Sequence, residues 1–283
     1  MKFAIFEQHG AINSKPVFES FIKGCQRLNI DHVINPRDQN YDVAVIWSVL
    51  WQGRMRPNRE IWDHCQKTNK KVIVLEVGGI RRNYMWRIGI GGINGEADFA
   101  NDFDLGDRYR KIGLELKPWM GDRGENILIC TQNPNSYQWR NMPPMTVWLR
   151  NTIRDIREFY QNKIIIRPHP RAHNNIPVFK DNVEVIHPRR IPDTYDDVDI
   201  DTALDDVKFV VNHCTNPGIE AVLNGIPAMT GDTSLAWPVS MMNGYMNFSE
   251  PDRENWVKRL AYIEWTTEEI EQGEPISRLM RKL

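Results

Sequence analysis

The most specific chemistry in this sequence lies in the segment Arg167-Pro168-His169-Pro170. An arginine guanidinium binds a phosphate through two parallel hydrogen bonds, and a histidine ring can donate a further one. The two prolines restrict the backbone around His169 and so fix where both side chains point. The segment therefore predicts a phosphate-binding site. A proline-rich turn with a solvated arginine and histidine would have the same sequence.

A second polar segment, Asn212–Ala221, leads from an apolar strand pattern into a helix that opens with Pro217 and Gly218. The free N–H groups and the dipole of a helix N-terminus attract anions, and short hydroxyl or amide side chains can cap it. An acidic residue one turn into the helix can accept from ribose hydroxyls. An ordinary capped helix is the alternative. The candidate ligand-binding residues of this segment are His213, Thr215, Asn216, Gly218 and Glu220.

These loops must be positioned by strands, and the second half of the chain supplies them. Apolar runs at 126–130, 163–166 and 208–211 alternate with helical periodicity, which is typical of a parallel sheet covered by helices. Gln132 follows the first of these strands. Ligands of such sheets bind beyond the carboxyl ends of the strands, so the three loops are expected to form one site.

These residues resemble the C-terminal domain of the GT-B glycosyltransferases, in particular the bacterial sialyl-, Kdo- and glycerophosphate-transferase groups. The resemblance covers about residues 125–235. It departs from the family at 213–214, where a histidine and a cysteine replace small hydroxyl residues. The motifs that carry it are Arg167-Pro168-His169-Pro170, Gly218-Ile219-Glu220-Ala221 and Gly225-Ile226-Pro227.

The whole chain also resembles uncharacterised glycosyltransferase-like proteins of tailed phages, with segments such as Phe6–Gly10, Val74–Gly79 and Leu116–Trp119. The two resemblances imply an α/β fold of GT-B type, with two Rossmann-like domains facing a cleft. The expected division is an acceptor-binding domain at 1–120 and a nucleotide-sugar-binding domain at 121–250. Two helices, at 252–265 and 268–283, are expected to pack back on the first domain.

Transfer of a sugar to a hydroxyl needs a general base, and the first half offers several. It has a β-α-β-β-α-β pattern, followed by a glycine-rich loop or small hairpin within 77–121. Glu76 is the first candidate, because it ends a buried strand and Gly78-Gly79 would leave room for substrate. Asp98, Glu96 and His9 are the other candidates, and a solvated loop carboxylate is the alternative for each acid. Gly10 can line the same cleft.

The phage resemblance favours a hydroxymethylated or hydroxylated pyrimidine in double-stranded DNA as the acceptor. Basic residues of the first half, Arg81 and Arg82 among them, would then bind phosphates, and Trp47, Trp51 or Trp86 would stack near an extruded base. A cell-envelope glycan or small molecule as acceptor, and a nucleotide-sugar-binding or epimerase-like module, remain alternatives. The remaining basic residues of this set are Arg54, Arg56, Arg59, Lys67, Lys70, Lys71 and Arg87.

The resemblance implies no cofactor other than the donor, for which a UDP-sugar is favoured, and no essential metal. Asp197-Val198-Asp199 resembles the metal-binding motif of the GT-A transferases, but it fits a helix cap or a solvated face equally well. Four scattered cysteines in 283 residues and the lack of a long apolar run indicate a soluble protein of the cytoplasm, without a membrane partner. A monomer or weak dimer is expected.

Overall fold

The computed structural model describes residues 1–82, 84–170, 176–180, 182–189, 200–241 and 244–283. It forms two compact units, one of Met1–Gly113 with Lys258–Leu283 and the other of Leu114–Val257. The chain leaves unit 1 after Gly113 rather than near residue 120. Residues 114–120 pack with unit 2, because the N–H groups of Lys117 and Met120 donate to the carbonyls of Leu223 and Gly225 at 2.9 and 2.8 Å.

The described strands and helices agree with the sequence pattern over most of the chain. The strands are β1 (Lys2–Ile5), β2 (Asp31–Ile34), β3 (Val43–Trp47), β4 (Lys71–Val77), β5 (Trp86–Ile90), β6 (Asn126–Cys130), β7 (Ile164–Arg167), β8 (Val183–Val185), β9 (Val207–Asn212), β10 (Ala228–Met229) and β11 (Glu264–Trp265). The helices are α1 (Lys15–Arg27), α2 (Asn58–Lys67), α3 (Arg108–Lys111), α4 (Met145–Arg157), α5 (Ile200–Ala203), α6 (Pro217–Leu223), α7 (Arg253–Leu260), α8 (Thr267–Glu271) and α9 (Glu274–Leu279).

Unit 1 has a six-stranded sheet in the order β11-β5-β4-β3-β1-β2. The strands β1 to β4 run parallel, whereas β5 and β11 are antiparallel additions at one edge. The core is formed by the apolar residues of β1, β3 and β4 together with α1, whose buried residues Val17, Phe18, Phe21 and Cys25 recur at the helical period. The parallel part thus has the flavodoxin-like order 2-1-3-4.

Two sequence expectations for the C-terminal segment are corrected. The helix predicted at 252–265 ends at Leu260, and Glu264-Trp265 instead pairs with β5. The helix predicted at 268–283 is divided at Gly273, whose φ of +83° lies in the left-handed region. Both departures arise from tertiary pairing or from one glycine, neither of which a helical periodicity reveals.

Unit 2 has a five-stranded, fully parallel sheet in the order β10-β9-β6-β7-β8. Counted within the unit, the order from the other edge is 3-2-1-4-5, which is that of the doubly wound dinucleotide-binding fold. Its apolar core comes from β6, β7 and β9 with one face of α4, including Leu149 and Ile156. The order in which successive strands are added reverses between β6 and β9, and the loops after these two strands are where a ligand is expected.

Candidate functional site

The loops at the carboxyl edge of the unit 2 sheet are joined by side chains that the sheet brings together. Thr131, the first residue after β6, is 2% exposed. Its Oγ1 accepts the backbone N–H of His169 at 2.9 Å, and its own N–H donates to the carbonyl of Arg167 at 3.0 Å. The residue therefore fixes the Arg-Pro-His-Pro segment against β6. Arg167 ends β7 opposite Cys130 and is 5% exposed.

A second connection joins β6 to β9 at the reversal point of the sheet. The Sγ of Cys214 donates to the Oε1 of Gln132 at 3.5 Å, and the Nε2 of Gln132 donates to the Oγ of Ser136 at 3.1 Å. Both Gln132 and Cys214 are buried. The structure thus brings Gln132, Arg167 and His169 into one group of loops, as the sequence predicts.

The loop before α6 is held by Asn212 rather than by a helix cap. Asn216 occupies the N-cap position without a side-chain bond, and the hydroxyl of Thr215 instead accepts from the Nδ2 of Asn212 at 2.9 Å. A Cβ on Gly218 would lie 2.5 Å from the Oδ1 of Asn212, so this glycine accommodates the asparagine. The capping role expected for Thr215 and Asn216 is therefore wrong. Glu220 lies partly buried in the first turn of α6.

His213 has a role in the protein's own packing. It is 7% exposed, its Nε2 lies 3.0 Å from the carbonyl oxygen of Gln138, and its ring packs edge-on against Trp139. Because a carbonyl only accepts, Nε2 must carry the proton in this contact. The hydroxyl of Thr233 lies 3.3 Å from the same nitrogen. These contacts fix the loop after β9. They leave the His213 ring less suited to binding a ligand than the sequence suggested.

In unit 1 the corresponding reversal lies between β1 and β3. Asn58, the first residue of α2, is fully buried there. Its Nδ2 donates to the carbonyl of His9 at 3.2 Å and to that of Trp47 at 2.7 Å. One amide group therefore joins the turn after β1 to the end of β3, at the place where a flavodoxin-like sheet binds its ligand.

His9 lies at this reversal with a ring that remains partly exposed. The Nε2 atom is 3.1 Å from the Nε2 of Gln8; since an amide nitrogen only donates, the ring nitrogen accepts. Partial burial lowers the pKa of His9 through desolvation, and Glu60 opposes this shift. A neutral, accepting imidazole is the form that a general base requires. Gly10, beside it, is required by packing, since a Cβ there would meet the Oγ of Ser14 at 2.0 Å.

Glu76 lies one residue from the end of β4 and is partly buried. Its Oε1 accepts the N–H of Val77 at 2.8 Å. The sequence suggested that Gly78, two residues further on, leaves room for substrate, but the structure shows no such space. A Cβ there would meet the carbonyl oxygen of Met85 at 2.2 Å and the Oε2 of Glu264 at 2.6 Å. The glycine is needed because the hairpin to β5 closes tightly on it.

Asp98 lies at the opposite edge of the sheet from Glu76 and His9. It pairs with Ile90 at the end of β5, where Gly91 bonds to Val72 at the start of β4. Its Oδ1 accepts the N–H of Ala100 at 2.8 Å. Since β5 is antiparallel to β4, its end coincides with the amino edge of the parallel strands, so Asp98 does not join the candidate site.

The predicted acceptor-binding residues differ in exposure. Trp47 is 1% exposed and packs against Phe18 and Trp86, so it has no open ring face for stacking on a base. Arg81 and Arg82 are exposed in the β4–β5 hairpin, and the guanidinium of Arg81 donates to the carbonyl of Gly113.

The basic residues proposed to bind DNA do not form one surface. Arg54 and Arg56 follow β3 at the carboxyl edge, as do Arg81 and Arg82 after β4, whereas Lys70 and Lys71 lie at the start of β4. Arg87 is 4% exposed and forms an ion pair with Glu264 at 2.8 Å. A continuous polyanion site is therefore not supported by this distribution.

Sequence reasoning predicted no role for three residues that organise the two edges, Asn58, Thr131 and Glu264, and it assigned Arg87 to phosphate binding rather than to its buried ion pair with Glu264. Only Thr131 had a visible signal, since it opens the polar run after β6.

The positions Asp197–Asp199 lie outside the described residues. Within the described ranges, no group of three or more histidine, cysteine, aspartate or glutamate side chains is arranged to hold a metal ion. All four cysteines are buried free thiols. None of the described helices has both the length and the apolar character needed to cross a bilayer.

No model of a protein family matches the sequence, and no curated protein matches it either. Solved structures do resemble it. One is the beta Kdo 2,4 transferase of Thermosulfurimonas dismutans KpsC, with a TM-score of 0.59 and 12% identity over 93% of this chain and 90% of that one. Another is the beta Kdo 2,7 transferase of the same organism's KpsC, with a TM-score of 0.53 and 14% identity over the whole of both chains. These likenesses confirm the predicted α/β fold of GT-B type, with a mostly parallel sheet in unit 1 and a fully parallel one in unit 2.

Proposed function

We propose that this protein is a glycosyltransferase that takes a sugar from a nucleotide-sugar bound by unit 2 and transfers it to a hydroxyl bound by unit 1. The observation that carries the proposal is the carboxyl edge of the unit 2 sheet. There Thr131 joins the Arg167–His169 segment to β6, and Gln132 joins β6 to β9. A doubly wound sheet with polar loops fixed at its reversal point is a typical nucleotide site.

In this proposal the cation of Arg167 and the polar groups of His169 and Thr215 stabilise the charge that develops on the leaving phosphate. The transfer breaks the bond between the sugar's anomeric carbon and the phosphate oxygen, and forms a bond from that carbon to the acceptor oxygen. The nucleotide leaves with the electron pair of the broken bond. The acceptor proton passes to a base of unit 1.

For that base we propose Glu76, with His9 as the alternative. Glu76 is a partly exposed carboxylate at the carboxyl edge of β4, and its bond to Val77 leaves lone pairs for an acceptor hydroxyl. His9 lies at the β1–β3 reversal with an accepting nitrogen. The two differ in pH dependence, since a carboxylate is deprotonated at lower pH than an imidazole.

As acceptor we propose a saccharide hydroxyl, in line with the cell-envelope glycan that the sequence offered as an alternative acceptor. The resembling solved structures are Kdo transferases. The dispersal of the basic residues and the burial of Trp47 give less support to DNA. A modified pyrimidine in DNA nevertheless remains a prediction that the same assay can test.

The test is incubation of the full chain with UDP-, GDP- and CMP-sugars, activated Kdo included, together with saccharide acceptors or hydroxymethylated DNA. Mass spectrometry would follow both nucleotide and product. We expect nucleotide release that depends on an acceptor saccharide and that is about 100-fold slower in Glu76→Gln, as for loss of a general base. Release without any acceptor would favour an epimerase-like module, and modified nucleosides would restore the DNA acceptor.

A further inference from the structure

Glu264 is a buried carboxylate for which the proposed transfer has no direct use. It lies in β11, the short strand that follows α7, and is 1% exposed. A charge so deeply buried is costly unless it is paired and hydrogen-bonded. Its Oε1 accepts from the Nη2 of Arg87 at 2.8 Å and from its Nε at 3.2 Å.

The same carboxylate also binds the loop that follows Glu76. The N–H of Gly79 donates to Oε1 at 2.6 Å, and the N–H groups of Ile80 and Arg81 donate to Oε2 at 3.1 and 3.4 Å. Successive N–H groups that converge in this way form an anion-binding nest. Here the nest is filled by a residue of the C-terminal segment, so the loop of 79–81 is fixed by Glu264.

Arg87 has a carboxylate on each side. In the register of the sheet it lies opposite Glu76 on β4 and opposite Glu264 on β11. Residues directly opposite each other on antiparallel strands project from the same face, with Cβ atoms about 5 Å apart. By position alone, the guanidinium could pair with either acid.

The guanidinium of Arg87 nevertheless forms its hydrogen bonds with groups other than Glu76. Besides the two to Glu264, Nη1 donates to the carbonyl of Ile93 at 3.0 Å and to the Oδ1 of Asn94 at 2.8 Å. Within the described part of the chain, no ion pair or hydrogen bond joins Arg87 to Glu76. The acid that the proposed transfer uses as a base is thus left without the cation opposite it.

We propose that Glu264 is a positioning residue for Glu76: it holds Arg87 away from the base and fixes the loop beside it. The inference rests on the proposed function, in which Glu76 accepts the acceptor's proton. An arginine paired with that carboxylate would stabilise its charged form and weaken it as a base. Glu264 prevents this pairing by supplying a better-placed partner.

Helix α2 also packs against β4 and carries the charged residues Arg59, Glu60, Asp63 and Lys67. Arg59 forms an ion pair with Asp63 at 3.7 Å, and among the described residues none of these groups forms an ion pair with Glu76. On the β3 side, Ser48 follows the strand, and its N–H donates to the carbonyl of Leu75. The charged groups directly opposite one another across the three strands are Glu76 on β4, Arg87 on β5 and Glu264 on β11. When the charge of Glu264 is removed, Glu76 is the remaining carboxylate opposite Arg87.

The test is the substitution Glu264→Gln, which keeps the size of the side chain and one oxygen for the loop. We expect Arg87 to pair with Glu76, so that the acid limb of the pH–rate profile moves about one pH unit lower, as for a carboxylate that gains a cation. The maximal rate should fall about tenfold. Carbon-detected NMR of the Glu76 side chain should show its titration midpoint moving in the same direction.

The double variant R87M/E264Q is the matched control, because it loses the same carboxylate but has no cation to redirect. We expect its acid limb and its Glu76 titration to return to those of the wild type. If Glu264 only stabilised the fold, the single and double variants would lose activity with no shift of either. Should Glu264→Gln fail to fold, Glu264→Asp keeps the charge on a shorter side chain and should give a smaller shift of the same sign. An unshifted Glu76 titration in that variant would overturn the proposal.

The NMR titration needs no substrate, so it separates this inference from the proposed function. Full activity of Glu76→Gln would remove Glu76 as the base while leaving the effect of Glu264 on Arg87 intact. An unchanged Glu76 titration in a folded Glu264→Gln variant would remove the inference, whatever the activity of Glu76→Gln.

Discussion

The carboxyl edges of the two sheets are built in different ways. In unit 2, Thr131 and Gln132 join neighbouring loops through buried side chains. In unit 1, Asn58 binds backbone carbonyls, and Glu264 binds backbone N–H groups of residues 79–81 as well as the side chain of Arg87. The candidate reactive side chains of His9 and Glu76 stay partly exposed. A site for one fixed ligand benefits from preorganised side chains, whereas reactive groups must reach a variable acceptor. The comparison is consistent with a donor in unit 2 and an acceptor in unit 1.

The largest effect on stability is expected from Gly78→Ala in the unit 1 hairpin. A new Cβ would lie 2.2 Å from the carbonyl oxygen of Met85, a backbone atom that cannot move away without breaking the β4–β5 pairing. We expect the free energy of unfolding, measured by urea denaturation, to fall by about 2–3 kcal/mol.

The matched control is Gly106→Ala, because its new Cβ would meet nothing nearer than the hydroxyl of Tyr262 at 3.7 Å. We expect a change within about 0.5 kcal/mol for this variant. Equal losses for the two variants would show that the tight closure at Gly78 does not determine the stability of the hairpin.

A smaller effect is expected from Thr131→Val in unit 2. The change keeps the shape of the side chain but removes the oxygen that accepts the N–H of His169. We expect a loss of about 1 kcal/mol in unfolding free energy, since water can reach the partly exposed His169.

Thr68→Val serves as the control for this loss, because the hydroxyl of Thr68 bonds only to the carbonyl of His64 on the exposed end of α2. If Thr131→Val also weakens nucleotide binding and the control does not, the comparison between the two edges is sharpened. Unchanged binding in a folded Thr131→Val variant would mean that the β6–β7 connection is structural only.

Much of the architecture was predictable from the sequence, because apolar runs and helical periodicity report directly on burial. The strand at 126–130 has its predicted bounds, and those predicted at 163–166 and 208–211 differ by one residue at each end. The Arg167–His169 segment was recognisable because prolines and charged residues are unusual together after a buried strand. The pairing of Glu264 with Arg87 was not predictable, since it joins residues 177 positions apart in sequence. The same holds for Asn58, whose burial depends on two strand ends rather than on local pattern.

The smallest effect is expected from His9→Gln in unit 1. Desolvation lowers the pKa of His9 below that of an unfolded chain, so between these two values the unfolded state binds more protons than the folded one. Stability contributed by the neutral ring is present above about pH 6.5 and is lost as the pH falls through the folded value. We expect the wild type to lose slightly more stability than His9→Gln between about pH 7.5 and 5.5, measured by urea denaturation. An equal loss in both proteins would show that His9 is fully solvated.

The central claim, a nucleotide-sugar donor bound by the carboxyl edge of unit 2, is tested most directly by calorimetric titration of the full chain with UDP, GDP and CMP. The wild type is compared with Arg167→Met and Glu76→Gln, each checked for folding by circular dichroism. We expect one nucleotide to bind, with an affinity at least about tenfold weaker in Arg167→Met and within about twofold of the wild type in Glu76→Gln. Undiminished binding by Arg167→Met, or an equal loss in Glu76→Gln, would contradict the account.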